Sequence, residues 1–143
     1  MTYSRIVGTG RYLPERVMTN FDLEKIVDTT DEWIRTRTPV DRRHDVTPEQ
    51  TTSDMCDESA TAAMDDAGIK PSDIDMVISG SSSTDVVFPN FSTIIKHRLC
   101  IPACTAFSLE AACTGFIYAL TVADKFIMAG EAKCVLVNGA ECI

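Results

Sequence analysis

The sequence predicts an α/β fold, a mainly parallel sheet with helices on both faces, and three observations carry that prediction. Strand-like and helix-like stretches alternate after residue 50, the pattern of parallel βαβ units. The linkers between them are short, with no internal repeat and no low-complexity segment. A β-rich run over residues 105–109 arrives at Cys113, and an apolar run over 116–128 leaves it and stops at Gly130. That second run is apolar all round, through Phe116, Ile117, Tyr118, Leu120, Val122, Ala123, Phe126 and Ile127. It predicts a central helix after Cys113 that is buried on nearly every side.

Residues 3–10 read as a first strand, with Ile6 and Val7 at its centre and Gly8-Thr9-Gly10 at its end. This GxG is weak evidence for a dinucleotide site, because Pro14 prevents a helix from following directly. Asn20 is suited to cap a helix over 21–27, with Leu23, Ile26 and Val27 inward. Thr29-x-x-Glu32 has the form of a capping box and starts a short helix through Trp33 and Ile34, which Pro39 ends. A longer helix begins at Thr52 or Ser53 and closes at Gly68; its face of Met55, Ser59/Ala60, Ala63/Met64 and Ala67 is small enough to pack on a sheet. Strands follow at 74–79, 103–109 and 133–139, and a helix over 91–99 follows Pro89 and Asn90. The serine-rich loop 81–84 and Cys113 both fall just past strand ends, where open α/β sheets bind ligands.

At 143 residues, with 45% hydrophobic and 24% charged residues, the chain suits one soluble domain with a real core. The run 116–128 is short for a membrane span and contains Asp124 and Lys125. Arg5, Arg11, Glu15 and Arg16 interrupt any signal core, so the expectation is a cytoplasmic protein, with no membrane partner. A net charge of −8 disfavours nucleic acid as a partner. Arg35, Arg37, Arg42 and Arg43 nevertheless cluster around one acid, Asp41, as either a solvated loop or an anion site. Six cysteines in a reducing compartment read as thiols rather than disulfides. Cys100-x3-Cys104 has no second pair at zinc-ligand spacing, so no metal is expected.

On position alone Cys113 is either a buried structural thiol or a nucleophile, since free N–H groups at a helix N-terminus favour a thiolate. A resemblance weighs on that choice. The stretches Ile6-Val7-Gly8-Thr9-Gly10-x-Tyr12-Leu13-Pro14-Glu15, Asn20-x-Asp22-Leu23-Glu24-Lys25, Thr29-x-Asp31-Glu32-Trp33-Ile34-x-Thr36-Arg37-Thr38 and Ala111-Ala112-Cys113-x-Gly115-Phe116 together resemble the N-terminal half of a β-ketoacyl-acyl-carrier-protein synthase III, in the thiolase superfamily. The resemblance covers essentially the whole chain, so that residues 1–143 read as one N-terminal thiolase-like domain without its C-terminal half.

The resemblance implies a decarboxylative condensation that starts fatty-acid synthesis. Acyl-CoA acylates Cys113, and malonyl-acyl-carrier-protein then attacks the acyl-cysteine to give a β-ketoacyl product. It implies that Trp33 and Arg37 hold the adenine of coenzyme A between two flat faces. It implies that Phe88 reaches the acyl pocket of the other subunit in a homodimer. Acyl-CoA is then a substrate, and no cofactor is expected. Pro39-Val40 departs from the family's Gly-Ile and alters the approach to the coenzyme A phosphates. The family's catalytic His and Asn have no match among these residues, since His44 and His97 stand elsewhere. An isolated 1–143 chain is therefore expected to be inactive. The other readings are a non-catalytic dimerisation or regulatory half, and a thiol redox or metal-binding protein.

Overall fold

The structure, a computed structural model, describes residues 3–143. The chain divides into two compact units: Leu13–Gln50, and Thr51–Ile143 together with the described residues up to Tyr12.

The larger unit is built on a three-stranded parallel sheet in the order β4-β3-β5: β3 (Met76–Gly80) at the centre, β4 (Thr105–Leu109) and β5 (Val135–Gly139) at its sides. All five β3 residues are buried, as a central parallel strand requires. Alternation along β3 sorts its side chains between two cores. Val77 and Leu136 face α3 (Thr52–Ala67) through Ala60 and Met64, whereas Met76 and Ile78 face α5 (Gly115–Ala129) through Ala119 and Ala123. A third helix, α4 (Phe91–Arg98), packs beside α3 through Cys56, Phe91 and Ile95. The expected α/β arrangement with helices on both faces is therefore present, with α3 and α4 on one face and α5 on the other.

Three of the four strands expected along the chain and the 52–67 helix are found within two or three residues of their expected bounds. Thr51 caps α3 with a reciprocal capping box to Asp54, and Gly68 closes it in the left-handed region at φ 65°. The strand expected at residues 3–10 does not form. Gly8 and Gly10 instead lie against the backbone of α3, so close that a Cβ on Gly10 would come within 2.0 Å of the Ser59 carbonyl oxygen. No backbone ladder forms along this segment, and the Thr9 N–H donates to the Asp66 carboxylate instead (2.8 Å). Of the expected face of α3, Ala60 and Met64 pack on the sheet, whereas Ser59, Ala63 and Ala67 receive this segment.

The central helix is also less buried than its composition predicts. Only Gly115, Ala119 and Ala123 of α5 are buried, and Phe116, Ile117, Tyr118 and Met128 are about half exposed. One sheet can cover only one stripe of a helix. Residues Ala112–Ala129 are, by length and composition, long and apolar enough to cross a membrane, contrary to the expectation from the sequence. Their small-residue stripe packed on Met76 and Ile78 is that of a helix layered on a sheet.

The smaller unit holds an antiparallel pair that the sequence did not announce, β1 (Arg16–Thr19) with β2 (Arg42–Asp45), tied by Arg16 to Asp45 at 3.2 Å. Its helices are short: α1 (Asn20–Leu23) and α2 (Asp31–Arg35). The caps are Thr19 and Thr30, one residue away from those expected. Asn20 is no cap. It is fully buried, donating to Asp31 (2.8 Å) and the Val40 carbonyl (3.1 Å) while accepting from Arg43 (3.0 Å).

In the larger unit, Arg98 at the end of α4 clamps the start of α3, donating to Asp54, Asp57 and the Ser53 hydroxyl. Burial pushes the Asp57 carboxyl up, and Arg98 offsets only part of that; the other Asp57 oxygen is buried without a partner. Arg98→Met leaves that carboxylate uncompensated. Because Arg98 is itself 39% exposed, screening trims the effect, and urea unfolding should show a loss of about 1–2 kcal/mol. An unchanged midpoint would show that the clamp contributes nothing.

Candidate functional site

The carboxyl ends of β3, β4 and β5 converge on Cys113. After Leu109 the chain makes a tight turn, Ala112–Thr114, and enters α5 at Gly115. Ala112 adopts φ 44°, a conformation that an L-residue holds only when its surroundings impose it. Three contacts surround the turn. The Thr114 hydroxyl donates to the Ala111 carbonyl (2.8 Å). The Ala112 N–H donates to the Ser82 hydroxyl (3.1 Å). Gly80 lies beneath Gly115, where a Cβ on Gly80 would stand 2.5 Å from the Gly115 carbonyl carbon.

Cys113 is exposed, not a buried structural thiol. It stands at the N-terminus of α5, whose first N–H groups receive no side-chain cap from Thr114. By contrast α1, α2, α3 and α4 are all capped by Thr or Asn side chains. N–H groups left without a side-chain cap at a helix start are open to a ligand's polar atoms. Cys56 is the opposite case. It is fully buried, and burial pushes its thiol up to about 12, which makes it an inert core residue. All six cysteines are free thiols.

Glu141, just past β5, closes the site from the other side. Its carboxylate accepts the Ser82 N–H (2.8 Å) and the Ser83 hydroxyl (2.5 Å), and Ser83 in turn accepts the Cys142 N–H (2.8 Å). A cavity of about 960 Å³ opens beside Cys113, with Met55, Met64, Phe116, Leu120 and Ile127 among its lining. Phe88 stands on the loop before α4, at a cis Phe88–Pro89 peptide. It is 88% exposed, beside the still more exposed Val87. The sequence placed the serine-rich loop near the site but assigned no role to Ser82, Ser83 or Glu141. A run of serines past a strand end, facing an acid past the next strand, was the only available signal.

The other predicted site residues belong to the smaller unit. Trp33 and Arg37 are one helical turn apart on and just after α2, and the guanidinium lies 4.2 Å from the indole centroid. Arg37 also donates to the Trp33 carbonyl (3.2 Å), so the two flat groups form one exposed stack. The rest of the arginine cluster is internally engaged: Arg35 with Asp31, Arg42 with Asp41, and Arg43 with Asn20. His44 points its Nδ1 at the Pro14 carbonyl (2.5 Å), a structural contact.

Three carboxylates of this unit are held below the ordinary range. The Thr19 hydroxyl and then Lys25 act on Asp22, the Asn20 amide and then Arg35 on Asp31, and Arg42 on Asp41. A carboxylate lowered in the fold stabilises it above the unfolded value, about 4, and that contribution is lost as pH falls below it. Trp33, the only tryptophan, reports on this unit. Its emission should stay constant from pH 7 to about 4 and change below. A change already complete by about pH 5 would contradict this assignment.

Comparison with known proteins adds four findings. The family model for 3-oxoacyl-[acyl-carrier-protein (ACP)] synthase III matches residues 107–143, the stretch holding Cys113 and Glu141. A β-ketoacyl-[acyl-carrier-protein] synthase III of Thioalkalivibrio sulfidiphilus is 52% identical over 143 residues, all of this chain and 44% of the relative. The crystal structure of the 3-oxoacyl-[acyl-carrier-protein] synthase III of Aquifex aeolicus superposes with a TM-score of 0.93 at 45% identity, over 99% of this chain and 45% of that one. The priming β-ketosynthase of the R1128 polyketide pathway gives 0.94 at 34% identity, over 98% and 42%. The chain thus spans less than half the length of the proteins it matches.

Proposed function

From the premise that this chain is homologous along its length to the N-terminal 44% or so of β-ketoacyl-acyl-carrier-protein synthase III enzymes, with their thiolase-like fold, we propose that Cys113 accepts the acyl group in such an enzyme. The observation that carries this reading is the exposed Cys113 thiol on the uncapped N-terminus of α5, at the carboxyl end of a parallel sheet.

In this reading the Cys113 thiolate sulfur attacks the carbonyl carbon of acyl-CoA. The carbon–sulfur bond to coenzyme A breaks, and coenzyme A leaves as a thiolate that takes up a proton. Malonyl-acyl-carrier-protein then loses carbon dioxide, and its carbanion attacks the acyl carbon. The β-ketoacyl product departs on the carrier protein and the Cys113 thiolate is regenerated. The apolar cavity beside Cys113 offers room for an acyl chain. The exposed Trp33–Arg37 stack offers a flat surface for the adenine of coenzyme A.

The condensation step needs groups that stabilise the carbanion and the thioester oxyanion. We assign the histidine and asparagine of that step to the part of the family enzymes that residues 1–143 do not match, so Cys113 accepts an acyl group and the reaction is completed only together with that part. The enzyme is read as cytoplasmic and homodimeric, with the exposed Phe88 tip reaching the partner's acyl pocket. Intact-mass spectrometry after incubation of the complete protein with acetyl-CoA tests the reading. One acetyl group should appear on Cys113 and be lost in Cys113→Ala. Trp33→Ala should raise the KM for acetyl-CoA roughly tenfold, the weight of about 1.4 kcal/mol of stacking. Acetylation that persists in Cys113→Ala would sink the assignment.

A further inference from the structure

We propose that Ser82 is a positioning residue for Cys113, and that Glu141 holds Ser82 in place; the inference rests on the reading of Cys113 as the acyl acceptor. The geometry forms one chain of contacts across the ends of all three strands. Past β5, Glu141 accepts the Ser82 N–H through one carboxylate oxygen (2.8 Å) and the Ser83 hydroxyl through the other (2.5 Å). Past β3, the Ser82 hydroxyl accepts the N–H of Ala112 (3.1 Å), the residue before the nucleophile. Past β4, Ala112 sits at φ 44°, where an alanine stays only if held. The Ser83 hydroxyl, which donates to Glu141, also accepts the Cys142 N–H, which fixes the segment carrying Glu141 itself.

The direction of these bonds matters. Ala112 N–H is the donor, so Ser82 supplies an acceptor that a serine or threonine can provide and an alanine cannot. The contact spans thirty residues of sequence and joins the loop after β3 to the turn before α5. Losing it frees Ala112 to leave its left-handed conformation. The Cys113 Sγ then loses its fixed place at the α5 N-terminus, and misplacement of a reacting atom is costly for rate more than for substrate binding. The Ser82 hydroxyl bonds the backbone of Ala112, so its effect passes through Ala112.

The test uses the complete enzyme with Ser82→Ala, Ser82→Thr and Cys113→Ala, following acetylation by rapid quench and intact mass and the folded state by thermal denaturation. Ser82→Ala should slow acetylation at least tenfold with the KM for acetyl-CoA within twofold of the parent. Ser82→Thr, which keeps the acceptor, should recover most of the rate. Ser82→Ala that acetylates at the parent rate, while Cys113→Ala does not acetylate, would overturn the positioning role and leave the acyl-acceptor reading standing. A Ser82→Ala variant that loses its cooperative unfolding would make Ser82 a general structural residue and overturn the proposal equally. Acetylation of Cys113→Ala would remove the underlying reading and this inference with it.

Discussion

Everything at the Cys113 end of the sheet depends on one close approach, that of Gly80 at the end of β3 to Gly115 at the start of α5. A Cβ on Gly80 would meet the Gly115 carbonyl carbon at 2.5 Å, its oxygen at 2.8 Å and the Phe116 nitrogen at 2.8 Å. These are backbone atoms and cannot rotate away. The helix therefore starts directly on the strand end, and the turn carrying Cys113 is delivered to the mouth of the sheet. Gly139, at the end of β5, makes the same allowance for Phe116. Further along, Ala119 and Ala123 continue the narrow contact, keeping α5 close to Met76 and Ile78. Small residues at this seam are a requirement of distance, not of flexibility.

Around that seam, hydrogen bonding is distributed to leave one terminus open. Of the five α-helices among the described residues, four place a capping side chain on their orphan N–H groups, and α5 does not. The polar groups of the larger unit fix elements that carry the site. Ser92 ties α4 to β4, its N–H donating to the Ser108 hydroxyl (2.9 Å) and its hydroxyl to the Phe107 carbonyl (2.6 Å), and Arg98 ties α4 to α3. In the smaller unit the buried Asn20 gathers Asp31, Val40 and Arg43 into one network, from which Trp33 and Arg37 project. The cluster of arginines that looks like an anion site in sequence is largely the outer half of that network.

The parallel sheet and its flanking helices were legible because each obeys a local rule. Thr51 with Asp54, Asn90 with Thr93, and Gly68 with Gly130 announce their helix ends through chemistry within a few residues. The failures share a cause. Residues 3–10 have a strand's composition, yet Gly8 and Gly10 lie on α3, which is set by contacts far away in sequence. The apolar surface of α5 was visible in the sequence, but how much of it this chain covers depends on how many layers surround it. The β1–β2 pair is rich in arginine and shows no strand pattern. At the site, Cys113, Trp33, Arg37 and Phe88 came from motif resemblance. Ser82 and Glu141 did not, because their roles exist only once two strand ends are brought together.

The most direct test of the seam is amide hydrogen exchange in Gly80→Ala compared with the parent protein. A methyl at position 80 must push the start of α5 away from β3, which lowers the cost of local opening there first. The account predicts at least about tenfold faster exchange across residues 110–119, with α3 keeping its protection. Unchanged exchange over 110–119, or a uniform acceleration across both helices, would contradict it.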